Sequence, residues 1–377
     1  MAKYRLGDIA PIKQGMVPEQ NKYWLLNLDV VESNTGKVLE YHYVDKGEIG
    51  ASTVSFDKSN VLYSKLRPYL NKVVLPEEAG YATSEMIPLR PNTDYITREY
   101  LTYYLRSPRF VGYINEKTSG AKMPRANTSD LKAVEIDCPS LNEQQRITIS
   151  FNKLRTVIEM RLRELSMLDN LIKARFVEMF GDPMVNPKGY GTRPYGDLFE
   201  LNAGGTPSKT KPEYWENGTI SWIGSNLCQN TILYENDEKY ISQEGYDHSS
   251  ARLFPVDTVL IALVGATIGK TALLKFETST NQNVLGVRHI AESGYNPMFV
   301  FYYTQFLYQK FMNIGDGGFN MASKGFVSEL PMYDIDLSVQ NDFAIFAEQI
   351  DKSKSAVKKA LDEAQLLFDS LMQKYFG

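Results

Sequence analysis

Two stretches of the chain carry apolar residues at alternating spacings of three and four, the pattern of a helix that packs along a second helix. The first covers residues 142–180, and its apolar positions are Ile147, Phe151, Leu154, Ile158, Leu165, Leu168, Ile172 and Met179. The second covers residues 338–377, and its apolar positions are Phe343, Phe346, Ile350, Val357, Ala360, Ala364, Leu367 and Leu371. We predict two long helices that form an antiparallel coiled coil. The alternative is a pair of unrelated core helices.

Local signals predict both ends of the first helix. Ser140 and Glu143 have the spacing of a capping box, which satisfies free N–H groups at a helix start. Gly181, followed by Pro183, is typical of a helix end, because glycine adopts the left-handed backbone there and proline cannot continue the helix. Within the helix, Arg161 and Arg175 occupy the two seam positions that are not apolar.

The chain contains a long internal repeat that includes both helices. The segment VLYSKLRPYLNKVVL at 61–75 aligns without a gap with VLIALVGATIGKTAL at 259–273. YLTYYL and FVFYYT follow, then DLKAVEID and ELPMYDID, which we interpret as a helix and a strand in each copy. The order is therefore globule, helix, globule, helix. This duplication predicts a pseudo-two-fold molecule.

Short strand-like runs separated by Gly, Pro and Asn turns indicate an α+β fold with a twisted sheet in each globule. We predict two similar globular domains joined by the two antiparallel helices. The predicted boundaries are a first domain at 1–140, a central helix at 141–185, a second domain at 186–336 and a C-terminal helix at 337–377.

Composition narrows the class of protein. With 377 residues, 43% hydrophobic and 23% charged, the chain is typical of a soluble globular protein of about two to four units. No apolar signal-peptide core follows Met1, and no apolar run is long enough to cross a bilayer, so we expect a cytoplasmic protein without a membrane segment. Cys138 and Cys228 are expected to be buried and unpaired. The net charge of −4 argues against a protein that coats nucleic acid alone, but permits local basic surfaces.

Motifs for catalysis are incomplete. GATIGKT at 265–271 has Val264 where a phosphate loop needs glycine, so we interpret it as a strand and turn. NPMF at 296–299 differs from an adenine-methyltransferase Asn-Pro-Pro-Phe loop, and we interpret it as a helix start. Asp-x-Lys occurs only at Asp130 and Asp237, with no Glu-x-Lys in the chain, and the three histidines have no zinc-site spacing. We predict no catalytic residue, no metal site and a protein that binds rather than catalyses.

Polar loops supply the candidate binding residues. Lys and Arg suit phosphates, Arg also suits guanine, and Asn or Gln suits adenine edges. SGAKMPRANTSD and GDGGFNMASKG are glycine-rich and occupy matching positions in the repeat, although their sequences differ. The candidate DNA-binding residues are Lys65, Arg67, Lys72, Lys122, Arg125, Ser208, Lys209, Lys211, Asn281, Gln282, Asn320 and Lys324.

The chain resembles the specificity subunit of type I restriction-modification systems over nearly its whole length. The resemblance is carried by LGDIAPIKQG, by YGDLFELNAGGTPSKTKPEYWENGTISWIG, by the SLNEQQRI junction and by the FGDP exit from the first helix. The first globule lacks the GGTPS block, and the second helix begins with SVQND instead of NEQQR. These departures indicate that the globules recognise different sequences.

The resemblance implies a non-catalytic subunit whose two target recognition domains each recognise one half of a split double-stranded DNA site. It implies that the coiled coil sets the spacing and binds two adenine methyltransferase subunits, and that a restriction subunit joins for cleavage. S-adenosylmethionine and ATP would bind the partner subunits, so no cofactor is expected here. The helix residues assigned to this role are Phe151, Leu154, Ile158, Leu165, Leu168, Ile172, Phe346, Ile350, Val357, Leu367 and Leu371.

Three alternatives stay open at this point. The chain could be a self-contained DNA methyltransferase or nuclease, which methyl-transfer assays of the purified protein would reveal. It could be a coiled-coil scaffold that does not bind DNA, in which case selection from random DNA would enrich no motif. It could also serve a system that only methylates.

Overall fold

The computed structural model describes residues 2–118, 120, 122–289, 294–314 and 321–377. The chain divides into two compact units. The first comprises Met1–Arg163 and Lys358–Gly377, and the second comprises Glu164–Val357. Each unit therefore contains one globule together with part of each long helix. None of the helices in the described ranges combines the length and apolar composition needed to span a membrane.

The helices of the described residues alternate with short strands. The helices are α1 (Leu6–Ile9), α2 (Arg98–Arg106), α3 (Pro108–Glu116), α4 (Thr128–Ala133), α5 (Leu141–Phe180), α6 (Tyr195–Leu198), α7 (Gln243–Asp247), α8 (Pro297–Phe306), α9 (Tyr308–Met312), α10 (Lys324–Ser328) and α11 (Leu337–Phe376). The strands of the first unit are β1 (Ala2–Arg5), β2 (Tyr23–Leu26), β3 (Tyr43–Val44), β4 (Thr53–Phe56), β5 (Val61–Ser64), β6 (Val73–Val74), β7 (Gly80–Thr83), β8 (Met86–Leu89) and β9 (Glu135–Cys138). The strands of the second unit are β10 (Thr192–Pro194), β11 (Phe199–Ala203), β12 (Ile220–Ile223), β13 (Thr231–Leu233), β14 (Tyr240–Ile241), β15 (Leu253–Phe254), β16 (Val259–Ala262), β17 (Thr271–Leu274), β18 (Thr278–Thr280), β19 (Val284–His289) and β20 (Pro331–Tyr333).

The two units share a sheet plan. In the first unit the strand orders are β3-β2-β7-β4, β6-β5-β8 and β1-β9. In the second unit the corresponding orders are β14-β12-β18-β15, β11-β19-β16-β17-β13 and β10-β20, so β11 and β13 are additions to the shared plan. In each unit the four-stranded sheet has one parallel pair, β2 with β7 or β12 with β18, and is otherwise antiparallel. The added strand β13 also pairs in parallel, with β17. The duplication is confirmed, although the described strands of each unit form three sheets where the sequence predicted one.

The two long helices run antiparallel within each unit. In the first unit Phe151, near the start of α5, contacts Phe368 and Phe376 near the end of α11. In the second unit Phe176 and Phe180, near the end of α5, contact Phe343 near the start of α11. The α+β fold class with two similar globular domains and antiparallel helices is therefore confirmed.

The predicted ends of α5 are also confirmed. The Ser140 hydroxyl accepts a hydrogen bond from the Glu143 N–H at 3.3 Å, which satisfies a free donor of the first turn. Gly181 has φ +75°, the left-handed backbone that glycine adopts without steric cost.

The predicted seam of α11 is wrong at Leu367, which is 50% exposed. From Ile350 the heptad positions Val357 and Ala364 lead by a further four residues to Phe368, whose ring lies 5.2 Å from that of Phe151. The sequence offers Leu366, Leu367 and Phe368 in succession, and periodicity alone selected the wrong one. At the other end of α11, Ala347 is fully buried whereas Phe346 is only partly buried, so Ala347 occupies the seam there.

Matching buried glutamines join each long helix to its globule, a feature that sequence analysis missed. In the first unit the Gln144 carboxamide accepts from the Thr97 N–H at 2.9 Å and donates to the Tyr95 and Pro139 carbonyls at 2.8 and 3.0 Å. Gln340 makes the same set of bonds in the second unit, to Asn296, Gly294 and Ile335. Both side chains are fully buried. Each satisfies three backbone groups that would otherwise be unpaired away from water.

Several local predictions are confirmed. The Asn296 side chain accepts from the Met298 N–H at 2.9 Å and caps α8, so NPMF is a helix start. Cys138 and Cys228 are buried and free, and burial raises the pKa of these thiols to about 11 and about 12. One boundary needs correction, because residues 130–133 lie in α4 and the strand begins only at Glu135.

Candidate nucleic-acid interface

In the first unit, backbone pairing brings two separate polar loops together. Leu66 and Arg125 form an isolated antiparallel bridge. The Arg67 N–H donates to the Pro124 carbonyl at 2.7 Å, and the Ala126 N–H donates to the Lys65 carbonyl at 2.8 Å. The loop after β5 and the loop before α4 therefore form one surface, which we call the first loop cluster. It presents Lys65, Arg67, Lys122 and Arg125, four of the candidate residues.

A single acidic side chain organises the cations of the first loop cluster. The Glu85 carboxylate accepts from the Arg125 guanidinium at 2.9 and 3.1 Å and lies 4.0 Å from the Lys65 amine. This bonding raises the pKa of Arg125 and fixes the plane of its guanidinium. Arg67 and Lys122 are exposed, and neither side chain forms an ion pair with another described residue. Glu85 therefore restrains Lys65 and Arg125, whereas Arg67 and Lys122 have no ion-pair partner among the described residues.

The second unit builds the same backbone with different side chains. Val264 and Met321 form the isolated bridge, and the Ala322 N–H donates to the Leu263 carbonyl at 2.8 Å. Gly265, which aligns with Arg67 in the gapless repeat, also has a left-handed backbone, with φ +70° against +48°. GATIGKT is thus the turn that follows strand β16, in agreement with the predicted strand and turn. Gly265 adopts the left-handed backbone without steric cost, whereas the first unit adopts it at Arg67, which has a side chain.

Further candidate residues lie beside this turn. Together with the turn at Gly265 they form a surface that we call the second loop cluster, which comprises Ser208, Lys209, Asn281, Gln282 and Lys324. The Leu263 N–H donates to the Asn283 carbonyl at 2.8 Å, which joins the turn to Asn281 and Gln282. The Thr206 hydroxyl donates to the Gln282 side-chain oxygen at 2.5 Å, which adds the loop that bears the exposed residues Ser208 and Lys209. The exposed Lys324 begins α10, just after the bridge. Asn320, a further candidate, lies outside the described residues.

Two tryptophans, the buried Trp222 and the partly buried Trp215, hold the loop at 204–211 in place. The Trp222 indole donates to the Gly205 carbonyl at 2.9 Å and meets the Trp215 ring edge-on at 5.2 Å. A Cβ on Gly204 would lie 2.0 Å from the Thr280 hydroxyl oxygen, so only glycine permits this approach. Lys211 donates to the Tyr214 hydroxyl at 2.8 Å and lies over its ring, which restrains the amine at the edge of the cluster.

Lys72 does not join the first loop cluster in this structure. Its amine donates to the Leu28 carbonyl at 2.6 Å, and partial burial lowers its pKa. Lys270, which aligns with Lys72 in the repeat, donates to the Gln229 side chain at 2.8 Å. Both lysines act as intramolecular donors, so we leave Lys72 out of the candidate interface.

Sequence analysis missed Glu85, whose backbone carbonyl accepts from the Lys65 N–H at 3.0 Å, just as the Asn283 carbonyl accepts from the Leu263 N–H at 2.8 Å in the second unit. The offset that places Val61 on Val259, continued beyond the aligned segment at 61–75, places Glu85 on Asn283 and is the one signal that could have found it. Residue type gave no signal at Glu85, because a carboxylate does not suit a phosphate or the guanine edge. Within the described ranges, no group of three or more His, Cys, Asp or Glu side chains could hold a metal ion.

Comparison with known proteins gives related sequences. A family model described as "Type I restriction modification DNA specificity domain" matches residues 1–165 and 187–364. The MjaIX type I restriction enzyme specificity subunit of Methanocaldococcus jannaschii is 21% identical over 291 residues, covering 70% of this chain and 66% of that protein. The EcoR124I/EcoR124II specificity subunit of Escherichia coli is 36% identical over 95 residues, covering 24% of this chain and 23% of that protein. The matched segments thus span less than two thirds of either relative.

Solved structures share the fold. The type I restriction-modification S subunit from M. genitalium has a TM-score of 0.62 at 15% identity, with 100% of this chain and 96% of that chain covered. A chain from a study of complex assembly and conformational transition of the type I R-M system has a TM-score of 0.59 at 17% identity, with 100% and 97% covered.

Proposed function

The chain belongs to the family of type I restriction-modification DNA specificity domains, and from this premise we propose that its two units each recognise one half of a bipartite duplex DNA target. The first loop cluster contacts one half-site and the second loop cluster contacts the other. The chain itself performs no chemistry on the DNA. It determines where partner subunits act.

One observation carries this proposal: the two loop clusters share a backbone and differ in side chains. The bridges Leu66–Arg125 and Val264–Met321 occupy equivalent positions, yet one pair includes a guanidinium and the other is apolar. Because the backbone conformations match, each loop occupies the same position within its own unit. Unequal side chains present different hydrogen-bonding groups, as two different half-sites require.

The chemistry of each cluster suits a different part of a duplex. The first loop cluster is cationic, which favours phosphates and the guanine edge. The second loop cluster adds Asn281 and Gln282 to its lysines, and carboxamides suit the paired donor and acceptor of adenine. The net charge of −4 means that these basic surfaces are local. We therefore expect weak DNA binding by the isolated chain and tighter binding when partners add phosphate contacts.

Large apolar side chains exposed on the long helices support a second role, the binding of adenine methyltransferase subunits. On α5, Met160 and Leu162 of the first unit are 56% and 53% exposed, and Met167 and Leu171 of the second unit are 64% and 46% exposed. Apolar helix surface of this kind is typical of protein interfaces. We propose that two methyltransferase subunits bind the helices, that a restriction subunit joins for cleavage, and that S-adenosylmethionine and ATP bind these partners.

Substitution of an exposed helix residue tests partner binding. Met167→Asp is expected to weaken methyltransferase binding about tenfold to a hundredfold, because it removes apolar area and buries a charge at the interface. The melting temperature of the free chain should not change. Ser166→Asp, at an exposed neighbouring position about 100° around the helix, is the matched control. The affinity is measured by titration of one subunit against the other. Wild-type affinity of the Met167→Asp chain for the methyltransferase subunit would contradict the proposed binding surface.

Methylation mapping tests DNA recognition. The chain, expressed with methyltransferase subunits of its family, is expected to direct methylation to a motif of two separated half-sites. Lys209→Ala, which removes an exposed cation of the second loop cluster, should weaken binding to all sequences and reduce the slope of log affinity against log salt by about one. Lys58→Ala, at an exposed turn outside both clusters, should change neither the DNA affinity nor its salt dependence. Methylation without a sequence motif would refute the proposed function.

A further inference from the structure

We propose that Arg67 is the base-reading residue of the first unit and that its half-site contains a guanine, which Arg67 recognises in the major groove. The inference rests on the proposed function and goes beyond it, because it names one residue and one base. Four features of the first loop cluster carry it: the backbone conformation of Arg67, the bonds that hold that backbone, the freedom of its side chain and the contrast with Arg125.

Arg67 lies in a backbone conformation that favours glycine. Its φ and ψ are 48° and 64°, in the left-handed region that L-residues with a Cβ adopt at a steric cost. The equivalent residue of the second unit is Gly265, with φ +70°. A Cβ at Gly265 would meet no atom within 4 Å, so both turns have room for a side chain. The first unit thus carries a long side chain where glycine would be less strained, which is typical of functional positions.

The backbone on both sides of Arg67 is held in place. Its N–H donates to the Pro124 carbonyl at 2.7 Å, and its carbonyl accepts from the Leu70 N–H at 2.9 Å. The next residue, Pro68, is buried and has a restricted backbone. These contacts fix the direction in which the side chain leaves the surface, so less conformational freedom is lost when the guanidinium binds.

The Arg67 guanidinium is exposed and makes no hydrogen bond or ion pair with another described residue. Arg125, in the adjoining loop, differs in this respect, because both its Nε and its Nη2 donate to the Glu85 carboxylate. A guanidinium whose planar fork is already engaged by a carboxylate cannot also bind a base edge with that fork. Glu85 thus occupies the Nε–Nη2 edge of Arg125, whereas no described residue bonds any donor of the Arg67 guanidinium, so Arg67 is the arginine of this cluster with both donor edges available.

Guanine is the base that matches this side chain. It presents two acceptors, N7 and O6, to the major groove, and the two parallel N–H donors of arginine satisfy both. Adenine presents an acceptor and a donor, so one arginine N–H would face an amino group. Lysine carries the same charge but no planar fork, and therefore tests the geometry separately from the charge.

The test is the methylation motif of the complex with partner methyltransferase subunits, mapped for the wild type, Arg67→Lys and Arg67→Gly. The wild-type motif is expected to contain a guanine that both variants read with about tenfold to a hundredfold less discrimination, the range of one bidentate contact. Every position of the other half-site should stay unchanged. Arg5→Ala, which removes an exposed arginine of β1, is the matched control and should leave the whole motif intact.

Arg67→Gly also separates recognition from folding. Because glycine relieves the left-handed strain, the melting temperature of this variant should equal or exceed that of the wild type while discrimination falls. Three outcomes would overturn the proposal: an unchanged motif in both variants, equal weakening at all sequences with the motif kept, and relaxed reading in both half-sites. A wild-type complex that methylates without any motif would instead refute the proposed function itself.

Discussion

Phe151→Ala is expected to destabilise the first unit by about 3–5 kcal/mol, the usual cost of removing a buried phenylalanine. The Phe151 side chain is fully buried. Its ring stacks on Tyr103 at a centroid distance of 4.8 Å and meets Phe368 and Phe376 at 5.2 and 5.9 Å. The substitution therefore leaves a cavity where α5, α11 and the globule meet. Hydrogen exchange resolved by peptide should show faster opening in α2.

Leu367→Ala is the control for this experiment. Leu367 is a large apolar residue of the same helix pair, but its 50% exposure means that truncation creates no cavity. We expect a change in unfolding free energy of less than about 0.5 kcal/mol. If Leu367→Ala destabilised the unit as much as Phe151→Ala, the seam assigned to α11 would be wrong. Phe176→Ala, between Phe299 and Phe343, is the equivalent experiment in the second unit.

Gln144→Leu is expected to destabilise the first unit by about 2–4 kcal/mol, although leucine is apolar and similar in size. The reason is that the Thr97 N–H and the Tyr95 and Pro139 carbonyls lose their partner in a place that water does not reach. Urea unfolding should show a lower midpoint with an unchanged slope. Gln340→Leu should reproduce the loss in the second unit, because its bonds are equivalent.

Gln145→Leu is the control for the glutamine experiment. Gln145 is the next residue of α5 and is exposed, so the same substitution removes no buried hydrogen bond. We expect a change within about 0.5 kcal/mol. Equal effects of Gln144→Leu and Gln145→Leu would mean that the three bonds add nothing to stability.

Periodicity was sufficient to predict both long helices, because an amphipathic helix shows its buried face in local spacing. Ser140 and Gly181 were sufficient for the ends of α5, since capping depends on residues within one turn. The internal alignment predicted the duplicated plan. Periodicity failed where neighbouring apolar residues compete, as at Leu366, Leu367 and Phe368, because the register then depends on which side chain finds space on the facing helix.

The candidate residues illustrate the limit of composition. Arg67, Arg125 and Lys72 look alike in the sequence, since each is a cation in the same run of polar loops. Only the fold distinguishes them. Lys72 donates to the Leu28 carbonyl and Arg125 donates to the Glu85 carboxylate. Arg67 is exposed, and hydrogen bonds on both sides hold its backbone in place. Glu85 itself gave no local signal, because its importance comes from residues about 20 and 40 positions away that folding brings beside it.

The amino-acid sequence by itself determined the helices, their ends, the duplication and the family, because each depends on spacing or on residues close together in the chain. The tertiary structure decided which cations are free, which leucine is exposed and how each unit divides the helices. These properties depend on contacts between distant segments, such as the bonds from Arg67 to Pro124 and from Gln144 to Tyr95. Hydrogen bonds and burial depend on which groups are close together in the folded protein, and the spacing of residues along the chain does not specify this.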